Sequence, residues 1–232
     1  EKIKFYTDLW HSLLGRHTFS DFNGKYIDNT GEEPVVRQVP LDNGTPTRNT
    51  YNSDAFWGSE FNLNILWSIA YPKVMSEFVS TLVDYYTNGG MIARGPSGGN
   101  YTYVMVGDQA TPLIAAAYNK GIRDFDIESA YQGCLKNSEP GGIRDYVGYK
   151  TNPGNFMQQY VDKGFVPEPT TKSPHAEGCA MTLYFAYEDW CMAQFAKGLE
   201  KEDVYRKYLQ RSFNYRYVYD LSLIHISEPT RP

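Results

Sequence analysis

Residues 54–107 place the tightest constraint on what this chain can fold into: DAFWGSEFNLNILWSIAY, a proline at 72, the run KVMSEFVSTLVDYYTNGG, and a glycine-rich loop that closes at Gly107. In the first segment Phe56, Trp57, Phe61, Leu63, Ile65, Leu66, Ile69 and Ala70 are too dense for a helix with one apolar face, which predicts a helix buried on most sides. Ser53 or Asp54 is placed to cap its N-terminus, and Pro72 ends it, because the residue before a proline is pushed out of the helical region. In the second segment Val74, Phe78, Leu82 and Tyr85 form one stripe, and Asn88-Gly89-Gly90 supplies a left-handed C-cap. Two helices joined this closely predict an αα-hairpin that presents the loop behind it.

The rest of the chain continues the theme. Residues 1–14 predict another buried helix, ended by Gly15. Residues 20–51 turn to Asp, Asn, Gly, Thr and Pro, with alternating runs KYIDNT and PVVRQV and turn signals at 29–31 and 42–44, so a β-hairpin excursion is expected near residues 24–50. Residues 108–121 predict a third core helix, with Pro112 tolerable only in its first turn. Asp126 is an N-cap for a fourth helix, whose face is Ile127, Ala130, Tyr131 and Leu135. Residues 138–176, rich in Pro and Gly around a short helical FMQQYVDKG, predict loops that line a site or close a barrel end. A long helix, apolar nearly all round, follows up to Gly198, and then an amphipathic one with Val204, Tyr208, Leu209 and Phe213 inward. The expected fold class is all-α, built from αα-hairpins.

Composition narrows the function. A formal charge of −5 with no Lys/Arg run argues against a nucleic-acid partner. No apolar run reaches 18 residues, so no membrane-spanning helix is expected. Cys134, Cys179 and Cys191 have neither metal spacing nor a disulfide framework. Aromatic residues make up 16% of the chain, with 20 Tyr, more than a core requires. Their apolar ring faces and hydrogen-bonding tips point to carbohydrate, although many would simply pack between helices. With no initiator Met or signal peptide, and a first residue inside an apparent helix, the chain is expected to be cut at its N-terminus. The last twelve residues, LSLIHISEPTRP, resemble a translated sequencing-library adapter, so residues 221–232 are expected to be an artefactual tail and the natural protein to continue past Asp220.

Five segments in order, FYTDLWHSLL, HTFSDFNGKY, residues 54–98, VMVGDQATPLIAAAYNKGIRDFD and AMTLYFAYEDWCMAQFAKGLEKEDVYRKYLQRSFNY, resemble family 92 of the glycoside hydrolases. The resemblance covers most of residues 1–220. It implies a calcium-dependent, inverting exo-α-mannosidase, secreted or periplasmic, whose catalytic domain is an (α/α)6 barrel preceded by a β-sandwich domain that this chain lacks. Residues 1–220 would be the N-terminal half of that barrel, of marginal stability alone because its helix faces lie uncovered. Inverting hydrolysis needs a carboxylic acid at the leaving oxygen and a carboxylate across the ring, about 6.5–9.5 Å apart. The resemblance puts these groups and the calcium ligands beyond Asp220, so no catalytic or metal-binding residue is expected here and the isolated chain should be inactive.

The resemblance leaves part of a sugar-binding wall in this chain. The family pattern Trp-Asp-Thr-Phe stands here as Trp57-Gly58-Ser59-Glu60, and Gly-Asn-Glu-Thr stands as Gly99-Asn100-Tyr101-Thr102. Two carboxylates are thus replaced, by Gly58 and Tyr101. That opens a second possibility, a glycan-binding member without hydrolytic activity, and a third is a helical interaction scaffold with no pocket. The expected substrate-binding residues are Asp21, Asp54, Trp57, Gly58, Asn100 and Tyr101. Each has a plainer role: Trp57 in the core, Asp54 as an N-cap, Asp21 in a turn. His175 is a pocket base or an exposed loop histidine. Of Glu188 and Asp189, consecutive on a helix and so about 100° apart, one is expected to face solvent. A phosphate-loop reading of 95–99 fails for want of a following Lys-Ser/Thr.

Overall fold

Glycine or proline bounds several of the helices in the computed structural model, which describes residues 1–53, 56, 58–148, 154–168 and 177–219. Helix α1 is Lys2–Leu14. Six short strands follow: β1 His17–Thr18, β2 Lys25–Asp28, β3 Val35–Gln38, β4 Leu41–Asp42, β5 Thr45–Pro46 and β6 Tyr51–Asn52. Strands β2 and β3 form the expected antiparallel hairpin, and β4–β5 a second one across Asn43 and Gly44, both at positive φ as a two-residue turn of this kind needs. Strand β1 pairs with β6 and so ties the start of the excursion to its end.

Helix α2, Leu63–Ala70, is followed at once by α3, Pro72–Gly89, with Pro72 at its first position, where a missing N–H costs nothing. Gly90 adopts the left-handed cap at φ 87°. The α3 stripe holds, and burial reaches further round the helix to Met75, Glu77, Val79 and Thr81. A hairpin of β7 Pro96–Ser97 and β8 Asn100–Tyr101 leads into α4 Ala110–Asn119, α5 Ile127–Asn137, α6 Phe156–Lys163, α7 Gly178–Gly198 and α8 Glu202–Arg211. Asp126 caps α5 through its side chain, which accepts from the Ser129 N–H. The main core lies between α3, α4, α5 and α7, with Phe195 of α7 packed against Tyr118 and Tyr131. A smaller cluster joins Phe156, Met157 and Tyr160 of α6 to Met181 and Phe185 of α7.

Three expectations are corrected. The helix expected from residue 54 begins only at Leu63. A 3-10 turn, Ser59–Phe61, precedes it, and Asn62 at φ −150° and ψ −45° breaks the helical path between them. Neither α1 nor α2 is buried on most sides. Helix α1 has no buried residue, with Ile3 84% exposed, and in α2 only Asn64 and Trp67 are buried while Ile69 is 76% exposed. Apolar density marks a helix that wants cover, and the described residues do not supply it. Phe213 is exposed rather than inward. Helix α8 tightens there into a 3-10 turn, Ser212–Tyr217, whose 3.0-residue period rotates residue 213 off the α8 face. The expectations for His175 and for the 221–232 tail lie outside the described residues.

Candidate functional site

Three loops far apart in sequence are laced together by hydrogen bonds. The Ser53 N–H donates to the Pro96 carbonyl at 2.9 Å, and the Gly98 N–H donates to Asn52 Oδ1 at 3.0 Å. From the other side the Asn29 N–H donates to the Gly99 carbonyl at 2.9 Å, and Asn29 Nδ2 to the Gly98 carbonyl at 2.5 Å. Asn52 Nδ2 also lies 3.3 Å from His17 Nε2 on the paired strand. The β7–β8 hairpin is thus clamped between the end of β2 and the end of β6. Gly99 makes the clamp possible: it sits at φ +78°, and a Cβ there would run into the Ile27 carbonyl oxygen. Gly99→Ala is therefore expected to cost about 1–3 kcal/mol, as a left-handed backbone forced on an alanine does. It should also speed hydrogen exchange at the Asn29 amide. Unchanged exchange there would contradict the clamp.

The hairpin carries two of the expected site residues in different ways. Asn100 is half-buried, and its Oδ1 accepts from the Tyr101 N–H at 2.8 Å, so its amide nitrogen is the group left over for a ligand. Tyr101 points into the core. Its hydroxyl lies 2.8 Å from the Tyr85 carbonyl and 3.0 Å from the Met91 carbonyl and accepts from the Met91 N–H, and its ring meets Tyr85 and Tyr103. Burial pushes the Tyr101 hydroxyl well above its ordinary pKa. The glutamate of the family pattern is thus replaced by an anchor for the hairpin.

Asp21 is exposed in a tight turn, where its Oδ1 accepts from the Phe22 N–H at 2.7 Å and its backbone bonds Lys25 and Gly24. That turn presents Phe22, 90% exposed, a residue sequence reasoning passed over although an apolar side chain at a turn tip was a readable signal. Gly58 is exposed at φ −89°, and a Cβ added to it meets nothing within 4 Å. Trp57 and Asp54 lie outside the described residues.

Beneath the turn at Gly58, Arg16 is buried between the rings of Trp67 and Phe78, each 4.4 Å from its guanidinium carbon. Nη2 donates to Asn64 Oδ1 at 2.6 Å and to Ser59 Oγ at 3.2 Å, holding the 3-10 turn against α2. Burial lowers its pKa to about 9.

The end of the same glycine-rich loop is fastened by a second, largely buried set of groups. Arg94 donates to the carbonyls of Gly107, Tyr146 and Ile143 at 2.7, 2.7 and 2.5 Å. The Asp108 N–H donates to Glu188 Oε1. Arg144 reaches Glu188 Oε2 at 3.1 Å and Asp189 Oδ1 at 2.7 Å, and Arg211 grips Asp189 through two nitrogens at 2.6 and 2.7 Å. Both Glu188 and Asp189 are therefore buried, which corrects the expectation that one faces solvent. A 100° arc fits within a helix that is covered by α4, α5, α8 and the 104–108 loop together. Glu188 has its pKa pushed up to about 8, chiefly by burial, and Oε2 has no hydrogen bond to offset it. The carboxylates of Glu188 and Asp189 hold Arg144 above its ordinary value.

Among the described residues no three His, Cys, Asp or Glu side chains are grouped to hold an ion. Several carboxylates are committed elsewhere: Asp28 to Arg37 and Thr30, Asp84 to Arg48, Asp145 to backbone N–H groups.

The mainly helical body is similar in fold to solved mannosidases. An inverting mannosidase from Bacteroides thetaiotaomicron is similar with a TM-score of 0.76 and 27% identity, over 93% of this chain and 27% of its own. An α-mannosidase from the same organism, solved with mannoimidazole, is similar in fold with a TM-score of 0.75 and 24% identity, over 93% of this chain and 26% of its own. A protein of Arthroderma benhamiae named as an uncharacterized secreted glycosidase is 28% identical over 164 residues, 66% of this chain and 20% of its own length. The chain belongs to glycosyl hydrolase family 92: the model of that family's catalytic domain matches residues 1–229. It spans between a fifth and about a quarter of the length of the relatives it matches, 20% to 27%. No helix among the described residues is long and apolar enough to cross a membrane.

Proposed function

We propose that this chain is the N-terminal half of the catalytic domain of an inverting α-mannoside hydrolase, and that its laced loops form part of the wall that binds the sugar. The single observation that carries the reading is the clamp. Residues 20–30, 51–53 and 95–103 meet through hydrogen bonds, which brings the loops expected to touch the sugar to one place. In this reading Asp21, Asp54, Trp57, Gly58 and Asn100 are the residues that bind the ligand, and Tyr101 positions Asn100. The catalytic acid, the base and the calcium ligands belong to the remainder of the domain. That remainder also closes the (α/α)6 barrel over the exposed apolar faces of α1, α2 and α7. A secreted or periplasmic location goes with this assignment.

A second reading, glycan binding without hydrolysis, is favoured by one observation. Neither replaced carboxylate has a successor, since Gly58 has no side chain and the Tyr101 hydroxyl is consumed inside the core. One experiment serves both. The purified chain, with calcium, is expected to leave 4-nitrophenyl α-mannoside intact, and hydrolysis would sink the placement of the catalytic groups. Methyl α-mannoside is expected to shift the amides of residues 58–59 and 98–101 in NMR titration, and no shift there would sink the sugar wall. Gly58→Asp meets no obstruction. A carboxylate adds a charge-assisted hydrogen bond to sugar hydroxyls, so affinity should rise about tenfold.

A further inference from the structure

The clamp on the β7–β8 hairpin has a titratable group at its outer edge. His17 on β1 lies opposite Asn52 on β6, and Asn52 in turn holds the tip of the hairpin at Gly98. One side-chain amide serves both neighbours. The Gly98 N–H can only donate, so the Asn52 atom 3.0 Å from it is the oxygen, and the nitrogen is turned toward His17 Nε2 at 3.3 Å. An amide nitrogen is itself only a donor. His17 therefore accepts at Nε2, which puts the ring proton on Nδ1 and makes the neutral imidazole the form that fits.

Protonation reverses that polarity. Histidine is the side chain that ordinarily changes charge between about pH 5 and 8, and the imidazolium carries a hydrogen on both ring nitrogens. Donor would then face donor across the strand pair. Turning the Asn52 amide over resolves the conflict by giving its oxygen to the cation. A hydrogen bond from a charged donor is about twice as strong as one from a neutral amide, so His17 outcompetes Gly98 for that oxygen. The neighbouring charges are engaged elsewhere. The Arg16 guanidinium lies between Trp67 and Phe78, and Asp21 accepts within its own turn. On α3, behind β6, Glu77 accepts from the Tyr51 hydroxyl and Asp84 from Arg48. Asp54 lies outside the described residues. We propose that protonation of His17 withdraws Asn52 from Gly98, a pH switch that loosens the tip of the β7–β8 hairpin in acid. The bonds from Ser53 to Pro96 and from Asn29 to Gly98 and Gly99 remain, so the hairpin loosens without detaching. What the switch does to sugar binding rests on the reading of this hairpin as part of the sugar wall.

The test follows the His17 ring and the Gly98 amide together in NMR spectra of the chain between about pH 8 and pH 5. The Gly98 amide proton is expected to move upfield in acid, as a proton that loses its acceptor does, with the same midpoint as the His17 ring. In His17→Gln, which cannot titrate, that movement should vanish. In Asn52→Asp one carboxylate oxygen accepts from Gly98 and the other from the imidazolium, so Gly98 should hold its position and the His17 midpoint should move to higher pH. A histidine with only a packing role would produce neither change. Methyl α-mannoside should bind about threefold more weakly at the acid end, the worth of one neutral hydrogen bond, and about equally at both ends in His17→Gln. A Gly98 amide that ignores the His17 titration, or that moves just as far in His17→Gln, overturns the switch. If Gly98 responds as expected while no sugar binds at either pH, the sugar wall falls and the switch stands.

Discussion

Asp189→Ala is expected to remove about 3–5 kcal/mol of stability, the cost of breaking a buried ion pair from one side. Asp189 is fully buried on α7 and accepts from Arg144 Nη1 at 2.7 Å and from Arg211 Nε and Nη2 at 2.6 and 2.7 Å. Alanine would leave two guanidinium groups facing each other. Arg144 would keep Ser138 Oγ and Glu188, and Arg211 would keep Glu139 at 3.3 Å and the Ser138 carbonyl. Glu139 would still offset part of the Arg211 charge, but the carboxylate that lies between the two arginines would be gone. Since a domain is stable by only about 5–15 kcal/mol, the loss is a large share of the total. Urea unfolding followed by circular dichroism measures it. Asp21→Ala, an exposed turn position, is the control and should stay within about 1 kcal/mol. A loss under about 1 kcal/mol for Asp189→Ala would show that the cluster does not hold the fold.

Stability should fall as pH rises from about 4.5 to about 8, and Glu188→Gln should flatten that slope. The Glu188 carboxyl has a folded pKa of about 8 against an ordinary value of 4.5. The folded chain therefore binds a proton that the unfolded chain has released throughout this window. Where the native state binds more protons, stability decreases with pH. The contribution is complete below about 4.5 and is lost as pH passes through about 8, a change of a few kcal/mol at roughly 1.4 kcal/mol per pKa unit. Glutamine keeps the carbonyl that accepts from the Asp108 N–H and cannot titrate. Below pH 4 the slope should reverse, because Asp28 and Asp126 are held below their ordinary values and lose stability when protonated. Denaturation midpoints at pH 5, 6.5 and 8 check this, and equal slopes for the two proteins would refute it.

The Glu188 region is also where sequence reasoning reached its limit. Periodicity identifies a helix that contains Glu188 and Asp189, and Gly198 ends it as expected. It reports one helix at a time, so it cannot report how many neighbours that helix has. Arg94, Arg144 and Arg211 come from a loop, a 3-10 turn and α8, separated by up to 117 positions, 94 to 211, and nothing in their spacing announces a shared cluster. An arginine amid apolar residues, as in GGMIARG, was the available hint. The two replaced carboxylates illustrate the same limit. The sequence makes Gly58 and Tyr101 visible as departures from the family pattern, but only the fold reveals that Gly58 opens to solvent while the Tyr101 hydroxyl is consumed within the core.

Local chemistry by itself determined the helix stops at Gly90, Gly121 and Gly164, the N-cap at Asp126, the β2–β3 hairpin and the family, because each depends on residues within a few positions or on their order along the chain. Burial and pairing were decided by tertiary structure alone. The spacing in residues 54–107 predicts an αα-hairpin whose first helix is buried on most sides and whose second buries one stripe. In the fold α3 is enclosed, α2 is left largely bare, and the loop behind them is clamped at one end by Asn29 and Asn52 and at the other by Arg94 and Glu188. Burial is a property of what surrounds a residue, and no window along the chain contains its surroundings.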